Sequence, residues 1–173
     1  NALMGLLENF LNSQSKSLIE KEICFRVVGR LHDMPKKIAR QLEQTIEETS
    51  KFKNWTLTLA LNYGSRTEII DAVKAYAKQA ILNNEDPDQL DWEQFRPYLY
   101  TDSLPDPDLV IRTSGEHRLS NFLLLQGAYA EYYFANEFWP DFGPEAFRKA
   151  IETYQSRERR FGLTGEQVQS ATL

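Results

Sequence analysis

The sequence has 173 residues, with 25 acidic and 20 basic side chains and a formal charge of −5. This length and an apolar content of 42% are typical of one globular domain, and they exclude a chain that is mainly disordered. The acidic balance disfavours a general nucleic-acid-binding protein. One cysteine excludes an internal disulfide, and with only two histidines the chain lacks the ligands of a conventional Cys/His zinc site.

The longest apolar runs, such as Phe122–Leu125, are far shorter than a bilayer span. No basic and then apolar segment of the signal-peptide type opens the chain. We therefore expect one cytoplasmic domain over residues 1–173, without a nucleic-acid partner.

Alternating helices and strands are predicted in the first half of the chain. An apolar stripe between Leu3 and Leu18 predicts a helix, and the β-branched and aromatic segment Glu22–Val28 predicts a strand. Pro35 can begin the second helix, and Trp55–Leu61 predicts a second strand that is buried on both faces. Together these elements have the order of an α/β protein.

The third helix is expected to begin at a capping box. Ser65 and Glu68 have the required spacing, and apolar residues continue as far as Ile81. Further along the chain, the patterns predict five elements: a short helix Leu90–Leu99, a strand Leu109–Ile111, a helix Asn121–Ala128 capped by Ser120, a strand Glu131–Ala135, and a last helix Pro144–Phe161.

Strands separated by helical segments predict an α/β fold with a mainly parallel central sheet flanked by helices. Ligands of such sheets bind beyond the carboxyl ends of the strands. Three segments lie there, namely residues 62–66, residues 113–120 and the residues from 136 onward. We therefore expect the ligand-binding residues in these three segments.

The loop after the third predicted strand carries the strongest polar pattern. Arg112 ends the strand, Gly115 allows a tight turn, and Arg118 and Ser120 precede the predicted helix start. Two guanidiniums, a hydroxyl and helix-start amides suit a phosphate or diphosphate. The pattern also fits two arginines in surface ion pairs, for example with Glu116, and the residues alone leave both interpretations open.

Glu131 is the second candidate, at the start of an apolar strand. A carboxylate there can bind Mg²⁺ together with another carboxylate and phosphate oxygens. A strand-start charge that faces solvent is the other interpretation. His117 can either hydrogen-bond a phosphate or lie exposed, and the sequence favours neither.

Several motifs, taken together and in this order, resemble the cis-prenyltransferases, with bacterial undecaprenyl diphosphate synthase as the nearest type. They are Asn62-Tyr63-Gly64-Ser65-Arg66, the run from Pro107 to Leu124, Ala128-Tyr129-Ala130-Glu131, Trp139-Pro140-Asp141-Phe142 and Glu158-Arg159-Arg160-Phe161-Gly162. The resemblance extends from about Ala2 to Gly162.

The resemblance implies an Mg²⁺-dependent transferase that extends an allylic diphosphate, usually farnesyl diphosphate, with isopentenyl diphosphate units. It implies that the isopentenyl diphosphate is held by Arg112, Arg118, Leu119 and Ser120. Glu131 would bind Mg²⁺, and Glu131 with Arg118 would form the catalytic set.

Arg160 and Gly162 match a C-terminal motif of the family that reaches toward the partner subunit's site. The resemblance therefore implies that both residues bind substrate and that the enzyme is a homodimer. The long lipid product implies at most peripheral contact with a membrane.

This sequence also departs from the family pattern. Ser65 stands where the second glycine of the turn is common, and Gly29-Arg30 stands where Gly-Asp is frequent. The family's Asp-Gly-Asn-Gly-Arg type motif, which carries a metal-binding aspartate, does not occur in the 173 residues. We interpret the chain as the C-terminal portion of a longer cis-prenyltransferase and expect these residues alone to be inactive.

Two alternatives are considered beside a catalytic prenyltransferase. The first is a non-catalytic partner subunit of a heteromeric prenyltransferase, which the retained arginines and Glu131 disfavour. The second is an unrelated phosphate-binding α/β module, which explains the loop around Arg118 but not the longer series of motifs.

Overall fold

The computed structural model describes residues 2–157, and the chain divides into two compact units between Leu104 and Pro105. The first unit begins with α1 (Ala2–Glu20), β1 (Ile23–Val28), α2 (Lys36–Thr49) and β2 (Trp55–Ala60). The two strands are parallel, with Ile23 opposite Trp55 and Val28 opposite Ala60.

The core of the first unit lies between α1, α2 and β1. The apolar stripes of the two amphipathic helices meet the side chains of the strand, as their spacing predicts. Phe25 and Leu42 are fully buried at its centre. The buried cluster consists of Leu7, Leu11, Leu18, Phe25, Met34, Ile38 and Leu42.

The rest of the first unit contains α3 (Ser65–Asn83) and the single-turn helix α4 (Trp92–Phe95). α3 is followed by Asn84, whose φ of 53° is the left-handed conformation with which helices commonly terminate. α4 begins at a capping box in which Asp91 and Gln94 each bond the other's backbone N–H. Short 3₁₀ turns occur at Leu31–Asp33, Pro87–Gln89, Arg96–Tyr98 and, in the second unit, Trp139–Asp141.

The second unit is built on another parallel pair, β3 (Leu109–Arg112) and β4 (Glu131–Phe134), followed by α5 (Pro144–Gln155). Leu109 lies opposite Glu131 and Arg112 lies opposite Phe134. Proline suits the first position of α5, because the amide that it lacks would have no partner within the helix.

The predicted fold class is confirmed, since parallel strands flanked by helices make this an α/β protein. All four strands lie within about one residue of their predicted bounds. The described strands form two separate parallel pairs, so the single central sheet and the single domain stay predictions. Burial of both faces of β2 is wrong, because Trp55 is 72% exposed and Leu57 is 36% exposed.

Three predicted helices differ from the structure. The short helix is one turn, because the 3₁₀ turn Arg96–Tyr98 follows α4 directly. The last helix ends at Gln155 rather than Phe161. Residues 121–128 form turns instead of a helix, since Asn121 and Leu123 have φ values of 63° and 45°, which a right-handed helix excludes.

The predicted capping box at the start of α3 is also wrong. Gly64 is the N-cap and Ser65 is already helical, and no side chain caps this end. Glu68 points into the protein instead and is 1% exposed. Within residues 2–157, no helix is long and apolar enough to cross a membrane.

Candidate functional site

Backbone hydrogen bonds join the carboxyl ends of β3 and β4 and continue into the loops that follow the strands. The amide of Ala135 donates to the Arg112 carbonyl over 2.8 Å, and the amide of Gly115 donates to the Ala135 carbonyl over 2.9 Å. The amide of Ser114 donates to the Glu137 carbonyl over 2.7 Å. The turn at Gly115 has a φ of 64°, which glycine adopts at low cost. These bonds fix where the polar loop leaves the sheet.

Four of the predicted substrate-binding residues come together at this end. Arg112, Arg118 and Leu119 line one pocket of about 240 Å³ with Val110, Ile111 and Phe122. Arg112 Nη2 donates to Ser120 Oγ over 3.4 Å, so the hydroxyl lies beside the same guanidinium. Two guanidiniums and an apolar wall therefore meet at the carboxyl end of β3, where the sequence predicts an anion.

Arg118 is also in a surface ion pair, as the alternative interpretation expects. Its Nη1 contacts Glu116 Oε2, and its side chain is 68% exposed. An exposed pair of this kind contributes only about 0–1 kcal/mol. A diphosphate, with several charged oxygens, can therefore replace Glu116 as the partner of Arg118.

The helix-start amides that the sequence predicts for anion binding are not formed at residues 121–128. Ser120 has a φ of 50° and begins a series of turns, so it does not cap a helix, and the pocket receives no helix-start amides from residues 121–128. The bonds from the Phe122 amide to the Leu119 carbonyl and from the Gly127 amide to the Leu123 carbonyl each close a separate turn. The positive charge of the loop thus comes from its arginines.

His117 lies against the sheet end. Its ring centroid is 4.9 Å from that of Phe134, with the two planes tilted by 37°. Phe134 is the partner of Arg112 in the strand register. This contact brings His117 to the same end of β3 and β4 as the two arginines.

Glu131 is not brought to this cluster. It pairs with Leu109 at the amino ends of the strands, about 10 Å along β4 from the residue opposite Arg112. Because side chains alternate between the faces of a sheet, Glu131 shares a face with Ile111 and Tyr133, and Arg112 lies on the other face. The two predicted parts of the site therefore lie at opposite ends and on opposite faces of one strand pair.

The surroundings of Glu131 fit one part of an Mg²⁺ site. Its carboxylate is 26% exposed and offers oxygen ligands of the kind Mg²⁺ prefers. In the described part of the chain, no group of three or more histidine, cysteine, aspartate or glutamate side chains is arranged to hold a metal. Glu131 therefore fits as one protein ligand, to be completed by phosphate oxygens and other groups. Arg160 and Gly162, the remaining predicted residues, lie outside the described residues.

A second polar network, in the first unit, was not predicted from the sequence. Arg30 holds Asp71 with two bonds of 2.7 Å, from Nε to Oδ2 and from Nη2 to Oδ1, and the Tyr100 hydroxyl donates to the same carboxylate. The backbone amide of Arg30 donates to the Asn62 carbonyl, and the Asn62 side chain donates to the Arg30 carbonyl. The unusual Gly-Arg turn after β1 thereby ties the carboxyl ends of β1 and β2 to α3.

Gly29 is required at this turn for steric reasons. Its φ is 122°, and a Cβ built there would lie 2.0 Å from the Leu61 carbonyl oxygen. Any side chain would push the ends of β1 and β2 apart.

We expect Asp71→Asn to lower stability at neutral pH, with a difference from the parent that shrinks in acid. The hydrogen bonds from Arg30, and then that from Tyr100, hold the pKa of Asp71 well below its usual range. A depressed folded-state pKa stabilises the protein above the unfolded value of about 3.9, and this contribution is lost as the pH falls below that value. Urea unfolding at pH 7 and at about pH 3 measures the effect.

Asp102→Asn, at an exposed aspartate of the same unit, is the matched control and should leave stability unchanged at pH 7. A constant gap between Asp71→Asn and the parent at both pH values would contradict the proposed pKa shift.

Comparison with known proteins identifies the family. The sequence profile described as putative undecaprenyl diphosphate synthase matches residues 1–162. An isoprenyl transferase of Heliobacterium mobile is 46% identical over 94% of this chain, and the match covers 62% of that protein. A tritrans,polycis-undecaprenyl-diphosphate synthase (geranylgeranyl-diphosphate specific) of Thermoplasma volcanium is 44% identical over 92% of the chain and 64% of its own length. The chain thus spans somewhat less than two thirds of these relatives.

Solved structures agree with the sequence relatives. Lavandulyl diphosphate synthase from Lavandula x intermedia, in complex with dimethylallyl diphosphate, superposes with a TM-score of 0.88 at 34% identity, covering 92% of this chain and 70% of that one. A probable undecaprenyl diphosphate synthase from Campylobacter jejuni superposes with a TM-score of 0.78 at 31% identity. The match covers 92% of this chain and 72% of that one. This chain therefore belongs to the undecaprenyl diphosphate synthase family of cis-prenyltransferases.

Proposed function

We propose that the chain carries the isopentenyl diphosphate site of an Mg²⁺-dependent cis-prenyltransferase. The enzyme would condense isopentenyl diphosphate with an allylic diphosphate, farnesyl diphosphate being expected, to give a long polyprenyl diphosphate. The observation that carries the proposal is the pocket at the end of β3, where Arg112, Arg118 and Leu119 meet beside Ser120. Membership of the family supplies the reaction class.

The pocket suits the two ends of isopentenyl diphosphate. The guanidiniums of Arg112 and Arg118 would hold the diphosphate through charge-assisted hydrogen bonds, each worth about 1.5–3 kcal/mol where water is excluded. Val110, Leu119 and Phe122 provide an apolar wall for the short hydrocarbon end. Fixing the diphosphate in this way would hold the alkene in one position beside the allylic carbon, which lowers the entropic part of the barrier.

Glu131 would serve as a ligand of Mg²⁺. The metal, when bound, would neutralise part of the diphosphate charge. This role is supported by the chemistry of the carboxylate and its partial exposure.

A homodimer is part of the proposal. Glu131 and Arg112 lie on opposite faces and at opposite ends of the β3–β4 pair. Both residues are proposed to act on one diphosphate. Glu131 from one copy of the chain and Arg112 from a second copy can approach that diphosphate more readily than both residues of a single copy can. The alternative of a non-catalytic subunit is disfavoured because Arg112, Arg118, Ser120 and Glu131 are all present.

An elongation assay tests the proposal. The full-length protein is incubated with radiolabelled isopentenyl diphosphate, farnesyl diphosphate and Mg²⁺, and the extracted products are separated by chain length. We expect polyprenyl diphosphates whose formation stops when EDTA removes the metal. Absence of any product longer than the primer, with metal and both substrates present, would refute the proposed activity.

A further inference from the structure

We propose that Arg157 is a positioning residue for Glu131, holding one carboxylate oxygen so that the other faces an incoming divalent cation. This inference rests on the proposed function, in which Glu131 is a ligand of Mg²⁺. It concerns a residue to which neither the sequence motifs nor the pocket of Arg112 and Arg118 assign a role.

Arg157 reaches Glu131 from the segment that follows α5. Its Nη1 donates to Glu131 Oε2 over 2.7 Å and to the Tyr132 carbonyl over 3.0 Å. The side chains of Arg157 and Glu131 are 41% and 26% exposed. The Nη1 atom of Arg157 thus bonds both the Glu131 carboxylate and the backbone of β4, the strand that carries Glu131.

The second acceptor distinguishes this pair from an ordinary surface ion pair. A backbone carbonyl within a strand has a fixed direction, so the bond to Tyr132 fixes the guanidinium relative to β4. The guanidinium in turn restricts the Glu131 side chain to rotamers that place Oε2 against it. Arg148 and Glu145 provide the contrast, since they pair within one turn of α5 and are 63% and 86% exposed.

The bond arrangement has a consequence for metal binding. Because Nη1 bonds Oε2, the other oxygen of Glu131, Oε1, is the one offered to a cation. Hydrogen-bonded partners of metal-binding side chains orient these side chains, and their removal typically weakens metal binding about 10- to 100-fold. Arg157 would act in this way on Glu131, through the carboxylate and without touching the metal.

The opposite effect is the competing interpretation of the same contact. A guanidinium that merely neutralises Glu131 would repel the cation and compete with it for the carboxylate. Loss of Arg157 would then tighten metal binding. The sign of the change therefore separates a positioning residue from a competing one.

Mn²⁺ is the probe that tests the inference, because its electron paramagnetic resonance signal reports the free ion. The full-length protein is titrated with Mn²⁺ in the presence of inorganic diphosphate, for the parent and for E131Q, R157A, R157K and R148A. We expect E131Q to lose most of the affinity and R157A to weaken it about 10- to 100-fold. R157K should recover part of the loss, and R148A, the matched control on α5, should bind as the parent does.

The outcomes separate the two proposals. Unchanged or tighter Mn²⁺ binding by R157A overturns the positioning role, provided that E131Q still abolishes binding. Parent-like binding by E131Q overturns the proposed metal role of Glu131 itself. Thermal unfolding of each variant checks the fold, and if R157A does not fold, the comparison of R157K with the parent decides, with parent-like or tighter binding counting against the inference.

Discussion

Replacing Glu68 with alanine is expected to lower the free energy of unfolding by about 3 kcal/mol, a large fraction of the 5–15 kcal/mol typical of a domain. Glu68 is 1% exposed, in the first turns of α3. Its Oε2 accepts a hydrogen bond of 2.6 Å from the Tyr63 hydroxyl. Its Oε1 accepts from both the amide and the hydroxyl of Thr101, over 3.2 and 3.0 Å.

The size of the effect follows from what the substitution leaves behind. Thr101 is 5% exposed, so its amide and hydroxyl would lose the Glu68 acceptor without ready access to water. A buried donor that loses its partner costs about 1–3 kcal/mol, and the shortened side chain adds a cavity. Chemical denaturation at neutral pH measures the loss.

Two further variants test whether the lost stability comes from the hydrogen bonds of Glu68. Glu68→Gln keeps the volume and one acceptor oxygen and should lose less stability than Glu68→Ala. Glu43→Ala, at an exposed glutamate of α2, should change the free energy of unfolding by no more than about 0.5 kcal/mol. Equal effects of Glu68→Ala and Glu43→Ala would mean that the buried hydrogen bonds contribute nothing.

The strands could be predicted because their signal is local. Segments such as Glu22–Val28 are β-branched, aromatic and stopped by glycine, and the structure places a strand there within one residue. The loop of Arg112 and Arg118 was found for a similar reason, since its polar residues follow directly on an apolar strand that is half-buried. Their convergence on one pocket then follows from the short chain between them.

The failed predictions have a different physical origin. The segment 121–128 contains good helix formers, but left-handed residues at Ser120, Asn121 and Leu123 and separate turn hydrogen bonds override that preference. The capping-box spacing of Ser65 and Glu68 is present, yet the carboxylate is used by Thr101, 33 residues away along the chain. Local spacing does not reveal a partner at such a separation.

The same limit explains the missed contacts of Arg30 and Glu131. Arg30 and Asp71 are 41 residues apart, and Arg157 and Glu131 are 26 apart. The position of Glu131 relative to Arg112 depends on the register of β3 and β4, which the sequence does not supply. Two-residue alternation along paired strands puts the first residue of β4 and the last residue of β3 on opposite faces once the register is known.

Arg118→Ala is expected to weaken the binding of isopentenyl diphosphate about 10- to 100-fold with little change in thermal stability. Removal of one charge-assisted hydrogen bond donor costs about 1.5–3 kcal/mol, and each 1.4 kcal/mol is tenfold in affinity. The side chain is 68% exposed, and the contact with Glu116 that it would lose is a surface ion pair. The fold therefore has little to lose, whereas the pocket loses one of its two guanidiniums.

Isothermal titration of the full-length protein with isopentenyl diphosphate measures the effect, beside Arg112→Ala and Arg118→Lys. Arg112→Ala should show a similar loss, because Arg112 lines the same pocket and also holds Ser120. Arg118→Lys should retain part of the affinity, since lysine keeps the charge but not the planar fork that bonds two oxygens at once. Arg40→Ala, at an exposed arginine of α2, changes the net charge equally and should bind as the parent does. If Arg40→Ala weakens binding as much as Arg118→Ala, the affinity reflects overall charge, and the pocket at the end of β3 is not the binding site.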